Sequence, residues 1–143
     1  MKKVFLLCAL VCLTVSSAEA GFYSQSYDAS GSVAVALQLD NKEIYNLIIS
    51  IELLRKPQDG KVYESDNYEN MMKQISVGWQ NVAIQKTLDL KTIKFSDLCL
   101  LKSNIEKGIS ELIQKAKIKN GISSDVEVVY SLSNFYLLEP KYN

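Results

Sequence analysis

Apolar and polar residues alternate strictly over Ser32 to Leu39 (SVAVALQL), with Val33, Val35, Leu37 and Leu39 on one side and Ser, Ala, Ala and Gln on the other. A period of two predicts a β-strand with one apolar face. Asp40-Asn41-Lys42 follows as a turn, because Asp and Asn tolerate left-handed backbone and bond their own main chain. Leu47 to Leu54 (LIISIELL) predicts a second strand, apolar at Leu47, Ile49, Ile51 and Leu53 and carrying Ile48 and Leu54 on its other face. A strand apolar on both sides belongs at the centre of a sheet or is covered at its ends. Pro57-Gln58-Asp59-Gly60 closes it, since proline cannot donate to a ladder and Asp-Gly favours a turn. The two strands are near enough in sequence to form a hairpin.

The period then changes. Asp66 with Glu69 three residues later predicts a helix start of the capping-box kind, and Tyr68, Met71, Met72, Ile75 and Trp79 recur at helical spacing. Gly78 weakens that helix by up to ~1 kcal/mol, which places its end near Gln80. Val82 to Leu90 fits either a helix extension or a short strand. A second helix is predicted from a cap at Ser96, with Leu98, Leu101, Ile105, Ile109, Leu112, Ile113 and Ala116 in step over several turns. Lys115, Lys117 and Lys119 crowd its C-terminal end, where positive charge complements the helix dipole, and Asn120-Gly121 reads as its C-cap.

Val126, Val128, Tyr130 and Leu132 alternate again, but the apolar side then passes to Phe135 and Leu137. That slip of parity predicts a closing strand with a β-bulge between Ser131 and Asn134. Its available partners are the strands of the opening hairpin. The order is therefore β-β-α-α-β, and the expected fold is α+β: a small antiparallel sheet with two helices packed on one face.

Residues outside this pattern bear on compartment. Lys2 and Lys3, the apolar run Val4 to Val15 and Ala18-Glu19-Ala20 compose a signal peptide over residues 1–20, with cleavage near Ala20-Gly21. The rival reading is an uncleaved anchor, although the apolar run is well short of the ~20 residues a spanning helix needs. Residues 21–31 (GFYSQSYDASG) have no apolar period and read as a flexible arm, leaving a single domain over 32–143. The expected location is the periplasm of a bacterium, or outside the cell. Charge is balanced at 16 Lys+Arg and 16 Asp+Glu, and loss of the leader removes two lysines and one glutamate. So even a balance gives no general attraction to nucleic acid or anionic lipid.

Candidate chemistry is sparse. The chain has no histidine, which removes the commonest general base, the Ser-His-Asp triad and every histidine-containing zinc site. Export removes Cys8 and Cys12 and leaves Cys99, which cannot staple its own chain and reads as a small buried hydrophobe between Leu98 and Leu100. The glycines are scattered, so no phosphate cradle is visible, and EF-hand spacing is absent. Asp59, Glu64, Asp66 and Glu69 cluster before the first helix, where turn and capping roles account for them better than acid–base work. Tyr68 and Trp79 read as core. No catalytic, cofactor-binding or metal-ligating residue is identified, no cofactor is expected, and the residues argue against an enzyme.

The ordered elements resemble the periplasmic domain of the flagellar basal-body FliL family, itself similar to stomatin-type domains. The resemblance rests on "VAVALQL", "NLIISIELL", "LKSNIEKGISELI" and "DVEVVYSLSNFYLL", and spans about Ser32 to Leu138. The family ordinarily has a cytoplasmic stub and a spanning helix where this chain has its short leader, and an Arg-Asp pair where this chain reads "NMMKQISVGW". The resemblance implies a non-enzymatic subunit that self-associates into rings around flagellar stator units. It transfers no individual binding residue. Two other classes stay open: a secreted binding module or effector using Phe22, Tyr23 and Tyr27 of the arm, and a periplasmic component of a secretion system. Each expects a protein partner, no nucleic acid and no mature transmembrane helix.

Overall fold

The chain's fold was obtained as a computed structural model that describes residues 31–54, 65–90 and 93–139. The expected leader, the arm over 21–30, the turn at 57–60, Asp59 and Glu64 lie outside the described residues.

Strand β1 (Gly31–Gln38) pairs antiparallel with β2 (Ile44–Leu54), from Gly31 opposite Ile51 to Gln38 opposite Ile44. The connection is a tight hairpin. Lys42 donates its backbone N–H to the Leu39 carbonyl at 2.9 Å, and Leu39 donates to the Glu43 carbonyl at 3.0 Å. Closing the loop this way requires one left-handed residue, and Lys42 takes that place with φ 68°. Asn41 supports the turn through its side-chain oxygen, which accepts from the Glu43 N–H at 3.0 Å.

Strand β3 (Val129–Leu138) returns from the far end of the chain to the other side of β2, antiparallel, giving the sheet order β1-β2-β3. The register runs from Leu54 opposite Val129 to Ile51 opposite Leu132, then from Ser50 opposite Asn134 to Asn46 opposite Leu138. Ser133 is the extra residue. It is the bulge that the parity slip predicts, and it returns Phe135 and Leu137 to the face that Tyr130 and Leu132 occupy. The strand begins after Val126, which is buried in the preceding loop rather than in the ladder.

Helix α1 (Asp66–Leu88) and helix α2 (Leu98–Lys119) cover one sheet face. Leu47, Ile49, Ile51 and Leu53 of β2 are 0% exposed beneath Tyr68, Met71, Ile75 and Trp79 of α1 and Leu101, Ile105 and Ile109 of α2. Full burial of each such side chain is worth about 1.5–3 kcal/mol. The helices approach closely where Gly108 of α2 faces Val82 and Lys86 of α1, and where Gly78 of α1 faces Leu112. Helix α2 ends in a Schellman motif, as Asn120-Gly121 predicts. Ile122 N–H donates to the Lys117 carbonyl at 2.9 Å and Gly121 N–H to the Ile118 carbonyl at 3.2 Å, with Gly121 at φ +64°.

Four local expectations are corrected. Helix α1 does not stop near Gln80 but runs to Leu88, because Gly78 fits against Leu112 and the apolar face continues through Ala83. Its cap is Ser65, whose hydroxyl accepts from the Tyr68 N–H at 3.3 Å, so Asp66 stands inside the first turn. Ser96 does not cap α2. It lies in a single 3-10 turn, Phe95–Asp97, that leads into the helix, and its hydroxyl meets the Asp97 carboxylate at 3.2 Å. Cys99 is exposed rather than buried, since the buried stripe of α2 starts at Leu101 and Cys99 lies on the far side of the first turn.

Candidate functional site

Of the carboxylates singled out in the sequence, Asp59 and Glu64 lie outside the described residues. Asp66 and Glu69 are exposed in the first turn of α1, where they complement the helix dipole. Among the described residues no group of three His, Cys, Asp or Glu side chains converges to hold a metal. Tyr68 and Trp79 are 1% exposed, so neither offers a stacking surface. The lysine trio is divided. Lys115 and Lys119 are exposed, whereas Lys117 is buried and donates from Nζ to the Ser124 carbonyl at 3.2 Å, tying α2 to the loop before β3.

Beside Lys117 lies a hollow of about 360 Å³, lined by Ser110, Tyr130, Asp125 and Glu127 among others. Its hydroxyls are committed to structural bonds. Tyr130 Oη donates to the Glu106 carbonyl at 2.7 Å and lies 3.0 Å from Ser110 Oγ, which itself donates to the Glu106 carbonyl at 3.0 Å. The group joins α2 to β3.

A second polar group decorates the hairpin. Tyr45 Oη donates to Glu43 Oε2 at 2.7 Å and receives Asn41 Nδ2 at 3.3 Å, while its ring meets Phe95 edge-on at 5.8 Å. The Glu43 carboxylate holds the phenol proton and raises the Tyr45 pKa above its ordinary value, against a smaller opposing effect of Asn41. These residues brace the turn and carry Phe95 to the surface.

The face of the sheet turned away from the helices is different. Register places Ala34, Ile48 and Tyr136 in one row across the strands and Ala36, Asn46 and Leu138 in the next, with Ile44 opposite Gln38 at the hairpin end. Ile44 is 49% exposed, Tyr136 47% and Leu138 48%. At the opposite end the row is polar: Ser32 Oγ and Ser50 Oγ share a hydrogen bond at 2.7 Å, and Asn134 stands beside Ser50. The three strands carry one charged residue among them, Glu52. An antiparallel sheet face turned to water ordinarily alternates into charged and polar side chains, so this face is unlike a solvated one.

Beyond β3 the sheet has no further strand among the described residues. On the β1 side, Ile93 forms an isolated parallel bridge with Leu39 and accepts the Asp40 N–H at 3.0 Å. Sequence reasoning missed this surface because it followed the residues that point inward. The missing signal was compositional: three predicted strands almost without Lys, Arg, Asp or Glu.

Among the described residues the open face offers apolar contact. No helix among the described residues is long and apolar enough to cross a membrane. No protein-family model, curated protein or solved structure matches the chain.

Proposed function

We propose that the chain is an exported, non-enzymatic interaction protein that docks a protein partner on the uncovered face of its sheet. The observation that carries the reading is the half-exposed patch of Ile44, Tyr136 and Leu138 on a sheet with one charged residue. Contiguous exposed apolar surface marks interaction sites in soluble proteins. The opposite face already holds both helices, so the patch is not an unfinished part of the same core.

The lack of histidine and the dispersal of the described carboxylates support the non-enzymatic part. The β-β-α-α-β order is what the FliL resemblance starts from, and it supports a membrane-embedded machine of the flagellar-stator kind as the partner. Self-association accompanies that reading.

The test is genetic and physical together. In the native host, deletion is expected to reduce swimming and stator engagement, and the wild-type chain to restore both. A Tyr136→Ser, Leu138→Ser double variant exported at normal level is expected not to restore them. Unchanged swimming after deletion would remove the flagellar partner. A partner cross-linked equally well to the double variant would remove the sheet face.

A further inference from the structure

The outer side of the helix layer carries a seam that neither helix fills. Gly78 of α1 lies against Leu112 of α2, and Gly108 of α2 against Val82 of α1, so the helices run antiparallel along it. Two hollows follow this seam. One, of about 570 Å³, is lined by Lys73, Val77, Gly78, Leu112 and Lys119 among others. The other, of about 260 Å³, is lined by Val82, Lys86, Glu111, Leu112 and Lys115 among others. Leu112 borders both, so they form one furrow, about 20 Å long from Lys73 to Lys86 at the rise of an α-helix. We infer that this furrow receives an acidic amphipathic helix of a partner protein, at a second interface separate from the open sheet face.

The floor of the furrow is apolar where a solvated helix face is polar. The stripe that α1 buries consists of Tyr68, Met71, Ile75 and Trp79, and Val77 stands off it, 67% exposed. Leu112 is only partly buried and lies beside Gly78, which has no side chain to cover it. A third helix along the seam would cover Val77 and Leu112 together. Laying one apolar stripe into a groove in this way is a recurrent mode of peptide recognition.

The rim of the furrow is basic. Lys73 and Lys86 stand on the α1 side and Lys115 and Lys119 on the α2 side, with Glu111 the one carboxylate among the described lining residues. Among the described residues none of these side chains forms an ion pair, whereas Lys102 and Glu106 of α2 meet at 3.9 Å. Four cations against one anion select an acidic occupant, because complementary charge chooses the partner and speeds encounter. A second copy meeting furrow to furrow would set lysine against lysine. The chain's own remaining segments are poorly matched as well. Residues 21–30 hold one carboxylate, Asp28, and residues 55–64 hold Arg55, Lys56 and Lys61 against Asp59 and Glu64.

The probe is a synthetic helix of about sixteen residues, with leucine at i, i+3, i+4 and i+7 spacing and glutamate on both flanks of that stripe. Its controls are the same peptide with lysine for glutamate, a scrambled form without a stripe, and vesicles of phosphatidylcholine with phosphatidylglycerol. Isotope-labelled purified protein is titrated with each and followed by NMR. The acidic helix is expected to shift the amides of Val77, Gly78, Leu112 and Lys115. It should bind about tenfold more tightly than the lysine or scrambled form, and the preference over the lysine form should fall with added salt. Lys73 and Lys119 are exposed, and a Lys73→Glu, Lys119→Glu variant should lose that preference while keeping the fold. Val77→Ser should weaken the acidic helix severalfold.

Absence of binding by the acidic helix would overturn the inference, as would equal binding of the lysine or scrambled form. Vesicles that shift the same amides, and lose that effect in the Lys73→Glu, Lys119→Glu variant, would assign the furrow to a lipid surface and overturn a helical occupant. The Tyr136→Ser, Leu138→Ser variant should bind the acidic helix as the unaltered chain does. If it does not, the helix sits on the sheet, and the furrow falls while the docking face stands.

Discussion

Replacing Gly108 by alanine tests how closely the two helices approach, because two opposed effects of known size meet at that position. An ideal Cβ at Gly108 would lie 2.6 Å from Val82 Cγ1 and 3.2 Å from Lys86 Cε. The lysine stem is flexible and swings aside. Val82 is β-branched, and in a helix its χ1 is held largely to one rotamer, so the contact is relieved by moving backbone or straining the valine. Overpacking of this kind costs about 1–3 kcal/mol. Against it, alanine in place of glycine inside a helix contributes about 1 kcal/mol. The expected net is a loss of up to about 2 kcal/mol.

Urea denaturation measures this directly, with an unchanged slope certifying that the folded and unfolded states keep their compactness. In a Val82→Ala background the obstructing methyl is gone, and Gly108→Ala should become stabilising by up to ~1 kcal/mol. The coupling in the double-mutant cycle should be about 1–3 kcal/mol, as for residues in contact. Gly78→Ala is the control. Its Cβ would meet only the Leu112 terminus, at 3.0 and 3.1 Å, and a leucine end can turn. If Gly108→Ala stabilises equally in both backgrounds, the helices do not cross as closely as described and the reasoning is refuted.

Lys42→Gly should stabilise the hairpin, because a left-handed lysine costs about 1–2 kcal/mol and glycine's extra unfolded-state freedom returns only part of that; a rise in Tm of about 2–4 °C is expected. Tyr45, with its pKa raised by Glu43, should lose its proton above the ordinary tyrosine value, and Glu43→Gln should lower its titration in an NMR or ultraviolet pH series. The sign follows from the raised value: the folded state favours the neutral phenol, so this stabilisation is complete below pH 10.0 and is lost as pH rises through the folded-state pKa. Exposed Cys99 should react with a thiol reagent in the native protein without unfolding. One reactive thiol per exported chain would agree with cleavage of residues 1–20, whereas retention of Cys8 and Cys12 would raise the count under denaturing conditions.

What was legible in the sequence was legible because burial there follows one simple period. Val35, Leu37 and Leu39, then Leu47, Ile49, Ile51 and Leu53, point inward at every second residue, and Leu101, Ile105, Ile109 and Ala116 at helical steps. The bulge could be placed because an inserted residue displaces all later side chains to the opposite face, which the shift from Leu132 to Phe135 records. Errors arose where a residue's local preference was overridden by a distant contact. Gly78 weakens an isolated helix, but the Leu112 side chain packed against it makes its small size useful. Lys117 has the composition of a solvated helix end, yet the returning loop supplies the Ser124 carbonyl for its ammonium. Cys99 was misplaced by its apolar neighbours in sequence, although Leu100 is itself 62% exposed. The docking face was hidden for another reason: sequence period says which side of a strand is buried, but not what becomes of the other side.

That other side poses a problem of its own, since an open face with apolar side chains and one charged residue, Glu52, also invites aggregation. Two features limit it here. The bulge at Ser133 interrupts β3 and strengthens the local twist, so two copies cannot align along its whole length. The Ser32–Ser50 pair and Asn134 make one end of the face polar. Neither covers Ile44, Tyr136 or Leu138, which stay about half exposed. Tyr136→Ser with Leu138→Ser should therefore remove the patch and leave the Gly108–Val82 coupling unchanged, because the patch and the helix contact lie on opposite faces of the sheet.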